Sequence, residues 1–287
     1  MRREIGVSAS NAALYIGAMR QAHARLIAIL AAIWLNFTGA ANAQTPPTID
    51  SILSVIRPAL ARCDSTMTGA TFVTTAHERR LDGDGKIEGE TVYRSRVYSR
   101  DKEEREILLA MWEDGEPVDE DKLRDEQEKR EKERRKRARK MREGQEESEQ
   151  SHSARVLEPF LEEKTASYRF PEVAADTMAG IAAWRITIDP LTETEDCVRG
   201  FAWLAQDDYR AIAERYEPAE MPSKIQSLNV EIDYTDIDGC PMPGRFQITG
   251  RGKALIFIKF HFQAEIFFDS VSINPDLPDS LFAIPGD

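Results

Sequence analysis

The longest regular pattern in the chain is an alternation of apolar and polar side chains in ALIFIKFHFQAEIFF, residues 254–268. Ile256, Ile258, Phe260, Phe262, Ala264, Ile266 and Phe268 fall on one face, and Lys259, His261, Gln263 and Glu265 on the other. Successive side chains of a strand point to opposite faces, so this is a long antiparallel strand with one apolar face. At about 3.3 Å per residue it spans roughly 46 Å, a length that suits a curved sheet. AAWRITIDP repeats the pattern with Ala182, Trp184, Ile186 and Ile188 on one face. SLNVEIDYTDI does the same with Leu228, Val230, Ile232 and Tyr234.

Three further stretches, TGATFVTTAHERR, TVYRSRVYS and REILLAMW, also read as strands, the first rich in Thr and Val. The Asp-Gly pairs in LDGDGKIEGE place a hairpin turn between the first two. GFAWLAQDDYRAIAERYEP reads as two strands turning at Gln206–Asp208; a short helix capped by Asp207 is the other reading. TIDSILSVIRPALARC has Ile49, Ile52, Leu53 and Ile56 at helical spacing, with Pro58 placed to bend the helix. The proline-rich tail SINPDLPDSLFAIPGD is expected to lie extended over the body. The fold class is therefore α+β: a curved antiparallel sheet of about eight to eleven strands with one or two helices against its inner face.

One segment breaks this picture. KLRDEQEKREKERRKRARKMREGQEESE (122–149) carries 12 basic and 9 acidic residues, and only Leu123, Ala138 and Met141 are apolar. A buried helix needs an apolar stripe, so the expectation is a solvated helix inserted between strands over 113–153. Glu126–Arg130, Glu128–Lys132, Glu131–Arg135 and Glu133–Arg137 are i,i+4 pairs in the favourable order. Each adds about 0.2–0.5 kcal/mol to such a helix. Its basic centre, with Arg130, Arg134, Arg135, Arg137 and Arg139, offers docking to an envelope protein or an anionic membrane surface.

The N-terminus bears on location. LIAILAAIWL (Leu26–Leu35) is a ten-residue apolar run preceded by Arg20 and Arg25 and followed by ANA at 41–43. That order is a secretory signal peptide, here residues 1–43 with cleavage after Ala43, and the run is shorter than the roughly 20 residues a membrane span needs. Met19 offers a second start. The expectation is export to a bacterial periplasm as a monomer, with 44–287 as a single domain interrupted by the charged insertion. That remaining chain has 34 basic and 49 acidic residues, and a body so acidic repels phosphate backbones, so no nucleic-acid partner is expected.

Candidate chemistry is sparse. Cys63, Cys197 and Cys240 allow one disulfide, and Cys197–Cys240 is the expected pair because both flank strands of the same half. Three cysteines without C-x-x-C or clustered His do not make a zinc site, and Lys86 at a ligand position rules against a calcium loop in LDGDGKIEGE. No G-x-S-x-G, H-E-x-x-H or P-loop occurs, and neither His77 nor His261 sits in a catalytic pattern. No cofactor and no enzymatic activity are expected.

With the charged run set aside, GIAAWRITIDP, GFAWLAQDDYR, NVEIDYTDIDGCPMPGRF and the closing NPDLPDSLF, behind an opening helix, resemble the outer-membrane lipoprotein carrier and sorting (LolA-like) superfamily. The resemblance covers most of 48–282 outside the insertion. It implies an incomplete β-barrel lidded by helices, with an apolar hollow that takes lipid or lipoprotein acyl chains, or an envelope-sensing module on the same fold. The cavity residues themselves come from alternation: Trp184, Ile186, Ile188, Val230, Ile232, Tyr234, Ile256, Ile258, Phe260 and Phe262.

Overall fold

Helix α1 (Ile49–Thr66) opens the fold, capped where the Thr48 hydroxyl accepts from the Ser51 N–H at 3.3 Å. It runs on through Pro58 and buries Ile52, Leu53, Ile56 and Cys63. The computed structural model describes residues 45–100, 103–142, 157–194, 196–254 and 258–282, with the backbone alone at 137–142, 253, 254, 258 and 259. The leader at 1–43 and Ile256 lie outside the described residues.

Strands β1 (Gly69–Leu81), β2 (Ile87–Arg100), β3 (Glu103–Glu113) and the short β4 (Glu116–Pro117) follow as a meander. The first hairpin turns as expected: the Asp82 carboxylate accepts from the N–H groups of Asp84 and Lys86, each at 2.8 Å. The charged helix α2 (Glu120–Arg142) comes next, and a 3₁₀ turn (Glu158–Phe160) and a short α3 (Glu162–Thr165) lead into the second meander. This comprises β5 (Tyr168–Arg169), β6 (Val173–Met178), β7 (Ile181–Pro190), β8 (Val198–Ala205), β9 (Ala211–Pro218), β10 (Ile225–Ile237), β11 (Cys240–Ala254) and β12 (Ile258–Ile273).

The twelve strands among the described residues form one antiparallel sheet in the order β4-β3-β2-β1-β12-β11-β10-β9-β8-β7-β5, with β6 also pairing with β7. The sheet is an incomplete barrel. Its first and last long strands are neighbours, since β1 pairs with β12 from Ala70–Ile273 to Leu81–His261. Its two free edges, β4 and β5, are therefore consecutive in sequence, and the charged segment is the link between them. The helix thus lies between two strands in chain order, and those two strands stand at opposite edges of the sheet. Some pieces were not legible as strands: the dipeptides β4 and β5 are too short for any period, and glycines at 244, 250 and 252 dilute the alternation of β11.

Those glycines have a packing role. Gly250 pairs with Phe262 and Gly252 with Phe260 across β11 and β12. A Cβ on Gly250 would lie 2.5 Å from the Phe262 ring, and one on Gly252 would collide with the Phe260 ring. Both rings thus lie flat over the neighbouring backbone.

The disulfide joins Cys63 to Cys240, with Cα atoms 5.6 Å apart, and Cys197 is free. The expected Cys197–Cys240 pair is wrong because α1 folds back so that its last turns meet the start of β11, 177 residues away. Cys197 instead packs, half-buried, against the core beneath α1.

Candidate functional site

Strand register builds one row of side chains across ten strands. Val173 pairs with Ile186, Ile186 with Ala202, Ala202 with Glu214, Glu214 with Ile232 and Ile232 with Phe246. The row continues from Phe246 to Ile266, Ala76, Tyr93 and Met111. Directly paired residues point to the same side of a sheet, so all ten share a face. It is the face under α1, because Ile186 and Ala202 pack in one cluster with Ile52, Leu53, Ile56, Leu157 and Phe160.

The row divides into a filled and an open part. Ile186, Ala202, Glu214 and Ile232 are at most 2 % exposed, whereas Phe246, Ile266, Ala76 and Tyr93 are each half-buried. The buried cluster under α1 draws on β5 and β7–β9 and on none of β11, β12, β1 or β2 among the described residues. An apolar strip four strands wide, about 14 Å from β11 to β2 at the usual strand spacing, is thus left partly uncovered. A cleft of about 550 Å³ lies toward one end of it, lined on this face by Phe262, Ala264, Thr91, Glu78, Arg80 and Glu113. Arg79, Glu90, Asp114 and Gln263 also line it, so apolar and charged side chains meet in this cleft.

The far side of the strip is bounded by α2. Leu123, Glu126, Gln127, Arg130, Glu131 and Arg134 are half-buried at helical spacing, while residues between them are exposed. A helix predicted to stand free is therefore docked, through a polar stripe instead of an apolar one. The Gln127 carbonyl accepts from the Leu108 N–H at 2.7 Å, and its amide donates to the Glu106 carbonyl oxygen at 3.3 Å. Arg130 donates to Glu106 at 2.7 Å and to Glu126 at 3.3 Å, and its guanidinium sits 4.3 Å over the Tyr93 ring. Stacking on an aromatic face and pairing with two carboxylates lets Arg130 be half-buried without an unpaired charge. Arg130 thus faces inward and does not belong to an outward docking set. Arg134 pairs with Glu131 at 3.0 Å, Arg135 is exposed, and the side chains of Arg137 and Arg139 lie outside those described.

The row holds one charged residue. Glu214 is 2 % exposed; its Oε2 accepts from the Tyr234 hydroxyl at 2.5 Å, and its Oε1 makes no close hydrogen bond among the described residues. Burial pushes the carboxyl up from 4.5 to about 7, against the Tyr234 hydrogen bond and the backbone at Leu157. The Tyr234 hydroxyl is raised well above its ordinary value, first by burial and then by the adjacent carboxylate.

The opposite face is ionic. Arg215 pairs with Glu231 at 3.2 Å and with Asp233, Arg245 with Asp233 at 3.1 Å and with Glu265 at 2.7 Å, and Arg79 with Glu265 at 3.1 Å and Glu90 at 2.7 Å. The hydrogen bond from Arg79 holds the Glu90 carboxyl below the ordinary carboxylate range. A second cleft of about 710 Å³ opens among residues of this ladder, including Arg199, Phe201, Arg215 and Glu231.

Of the residues read from alternation, Trp184, Ile186, Ile188, Val230 and Ile232 are buried, each less than 10 % exposed, and Tyr234 bonds to Glu214. Ile188 and Val230 also reach the second cleft. Phe260 and Phe262 reach the open strip, and Ile258 is described by its backbone alone. Sequence reasoning missed Phe246, Ala76 and Tyr93. Phe246 and Ile248 alternate in RFQITG, the one local clue; the others needed the register.

No protein-family model and no curated protein matches the chain. Solved structures do. One is a LolA superfamily protein from Nitrosomonas europaea, 12 % identical over 79 % of this chain and 96 % of that one, with a TM-score of 0.36. Another is a proposed outer membrane lipoprotein-sorting protein domain from Vibrio parahaemolyticus, 10 % identical over 84 % of this chain and 97 % of that one, TM-score 0.42. A third is a chain of the Pseudomonas aeruginosa MucA/MucB complex, 9 % identical over 78 % and 99 %, TM-score 0.25. None of these likenesses carries a residue's role or a function to this chain.

Proposed function

We propose that this protein is an exported, non-enzymatic binder of lipid or lipoprotein acyl chains, held on the strip formed by Phe246, Ile266, Ala76 and Tyr93. The observation that supports the reading is the division of the cross-sheet row. The same face is sealed under α1 on β7–β9, whereas Phe246, Ile266, Ala76 and Tyr93 are only half-buried, even though Thr74, Ser95 and Val97 beside them on β1 and β2 are buried. An uncovered apolar strip costs free energy in water, and an acyl chain laid along it gains about 0.8 kcal/mol per buried CH₂. Glu78, Arg80 and Glu113 supply charge in the same cleft, so an amphiphile fits better than a plain hydrocarbon. The leader-like N-terminus supports a periplasmic setting for this activity.

The test is solvent extraction and mass spectrometry of protein purified from the periplasm. Acyl chains should accompany the wild type and be lost from Ala76→Arg, which puts a cation in the strip. They should stay with Thr249→Arg, which changes the other face. A wild type without acyl chains, or equal loading of Ala76→Arg, would overturn the reading.

A further inference from the structure

Helix α2 has two ends of different character. The half-buried stripe that holds it to the sheet runs from Leu123 to Arg134, and Arg135 and Lys136 beyond it are exposed. The helix continues to Arg142. Over 134–142, RRKRARKMR, seven of nine residues are basic and none is acidic. At 1.5 Å per residue the backbone of this end is about 12 Å long, little more than one Debye length. Glu131, just before this end, is already shared by Arg134 at 3.0 Å and Arg135 at 3.8 Å. The rest of the chain from residue 44 is strongly acidic, so this is a local reversal of charge.

We propose that the C-terminal end of α2 is a docking surface for an anionic membrane. A helix end with this density of charge and no apolar stripe has nothing with which to fit an apolar protein groove. A planar anionic surface asks only for charge density, and each basic residue near it adds to the attraction. The other end of the same helix borders the apolar strip through Arg130 and Tyr93. The proposal rests on the charge of the helix end and stands whether or not the strip holds acyl chains.

The test is sedimentation of the protein purified from the periplasm, with its N-terminus verified to be free of the leader, with vesicles of phosphatidylcholine containing a quarter phosphatidylglycerol, against phosphatidylcholine alone. Binding should require the anionic lipid and fall at least tenfold at 0.5 M salt. Two variants of equal charge change separate local from net charge: R135E/K136E on the helix end, and R94E/R96E at exposed positions of β2. The first should bind at least tenfold more weakly, and the second within twofold of wild type. Equal binding by R135E/K136E, equal binding to neutral vesicles, or retention only on an acidic peptide or nucleic acid would overturn it. Vesicle binding by protein free of acyl chains, or loaded protein that ignores vesicles, tells this proposal apart from the acyl-chain reading.

Discussion

The Gln127 side chain meets the Leu108 backbone as a neighbouring strand would, accepting from its N–H at 2.7 Å while donating to the Glu106 carbonyl oxygen at 3.3 Å. Strand β3 is paired on one side by β2, and β4 reaches only Trp112 and Glu113 on the other. Without the glutamine, the middle of β3 would be an open edge of the kind that pairs with other chains. The charged helix thus has a structural role, because it closes an edge of the sheet with a side-chain amide.

Gln127→Ala should therefore destabilise the protein by about 1–3 kcal/mol, the cost of leaving a buried backbone donor unpaired. Urea unfolding measures the loss, and amide exchange at Leu108 should accelerate selectively. Removing 120–142 altogether should make the protein prone to aggregate through β3. Unchanged solubility and exchange at Leu108 would show that the helix is dispensable.

The filled and open parts of the cross-sheet row should answer differently to added volume. Ala202 is fully buried between Ile186 and Glu214, so Ala202→Leu should cost about 1–3 kcal/mol through overpacking. Ala76 lies half-buried between Ile266 and Tyr93, so Ala76→Leu should leave the melting temperature unchanged or raise it. Thermal melts of the pair distinguish a strip with room from a closed core.

Glu214 predicts a pH dependence with a definite sign. Its carboxyl stands near 7 in the folded chain against 4.5 ordinarily, so the folded state holds a proton the unfolded state has released. The stability this group contributes is full below about 4.5 and is lost as pH rises through 7, by up to about 3 kcal/mol. Glu214→Gln should keep the Tyr234 contact and remove that loss. The difference in unfolding free energy between variant and wild type should grow from pH 5 to pH 8 in favour of the variant. A constant difference would place the carboxylate in contact with water or with an unseen cation.

Peptide mapping under non-reducing conditions should recover Cys63 linked to Cys240 and Cys197 open to alkylation. Reduction, or Cys63→Ser with Cys240→Ser, should lower stability by about 2–5 kcal/mol, because the bond closes a very long loop. The same loss should loosen α1 over the core, read as faster exchange at Ile52 and Ile56.

Local sequence determined what depends on near neighbours alone. The alternation in 258–268, in AAWRITIDP and in SLNVEIDYTDI set strand faces because side-chain direction has a period of two along the backbone. The spacing of Ile52, Leu53 and Ile56 set the buried face of α1 for the same kind of reason. Tertiary structure decided everything that depends on which strands meet. Only the pairing of β1 with β12 made β4 and β5 the free edges and turned the charged run into the link between them. Only the register put Ala76, Tyr93 and Phe246 in one row with Glu214, and nothing in AIAERYEP marks Glu214 as buried and Glu217 as less so. The cysteine pair and the inward turn of Arg130 were likewise beyond the sequence. Both follow from contacts between distant segments, where burial and geometry are set by the whole fold and carry no local period to read.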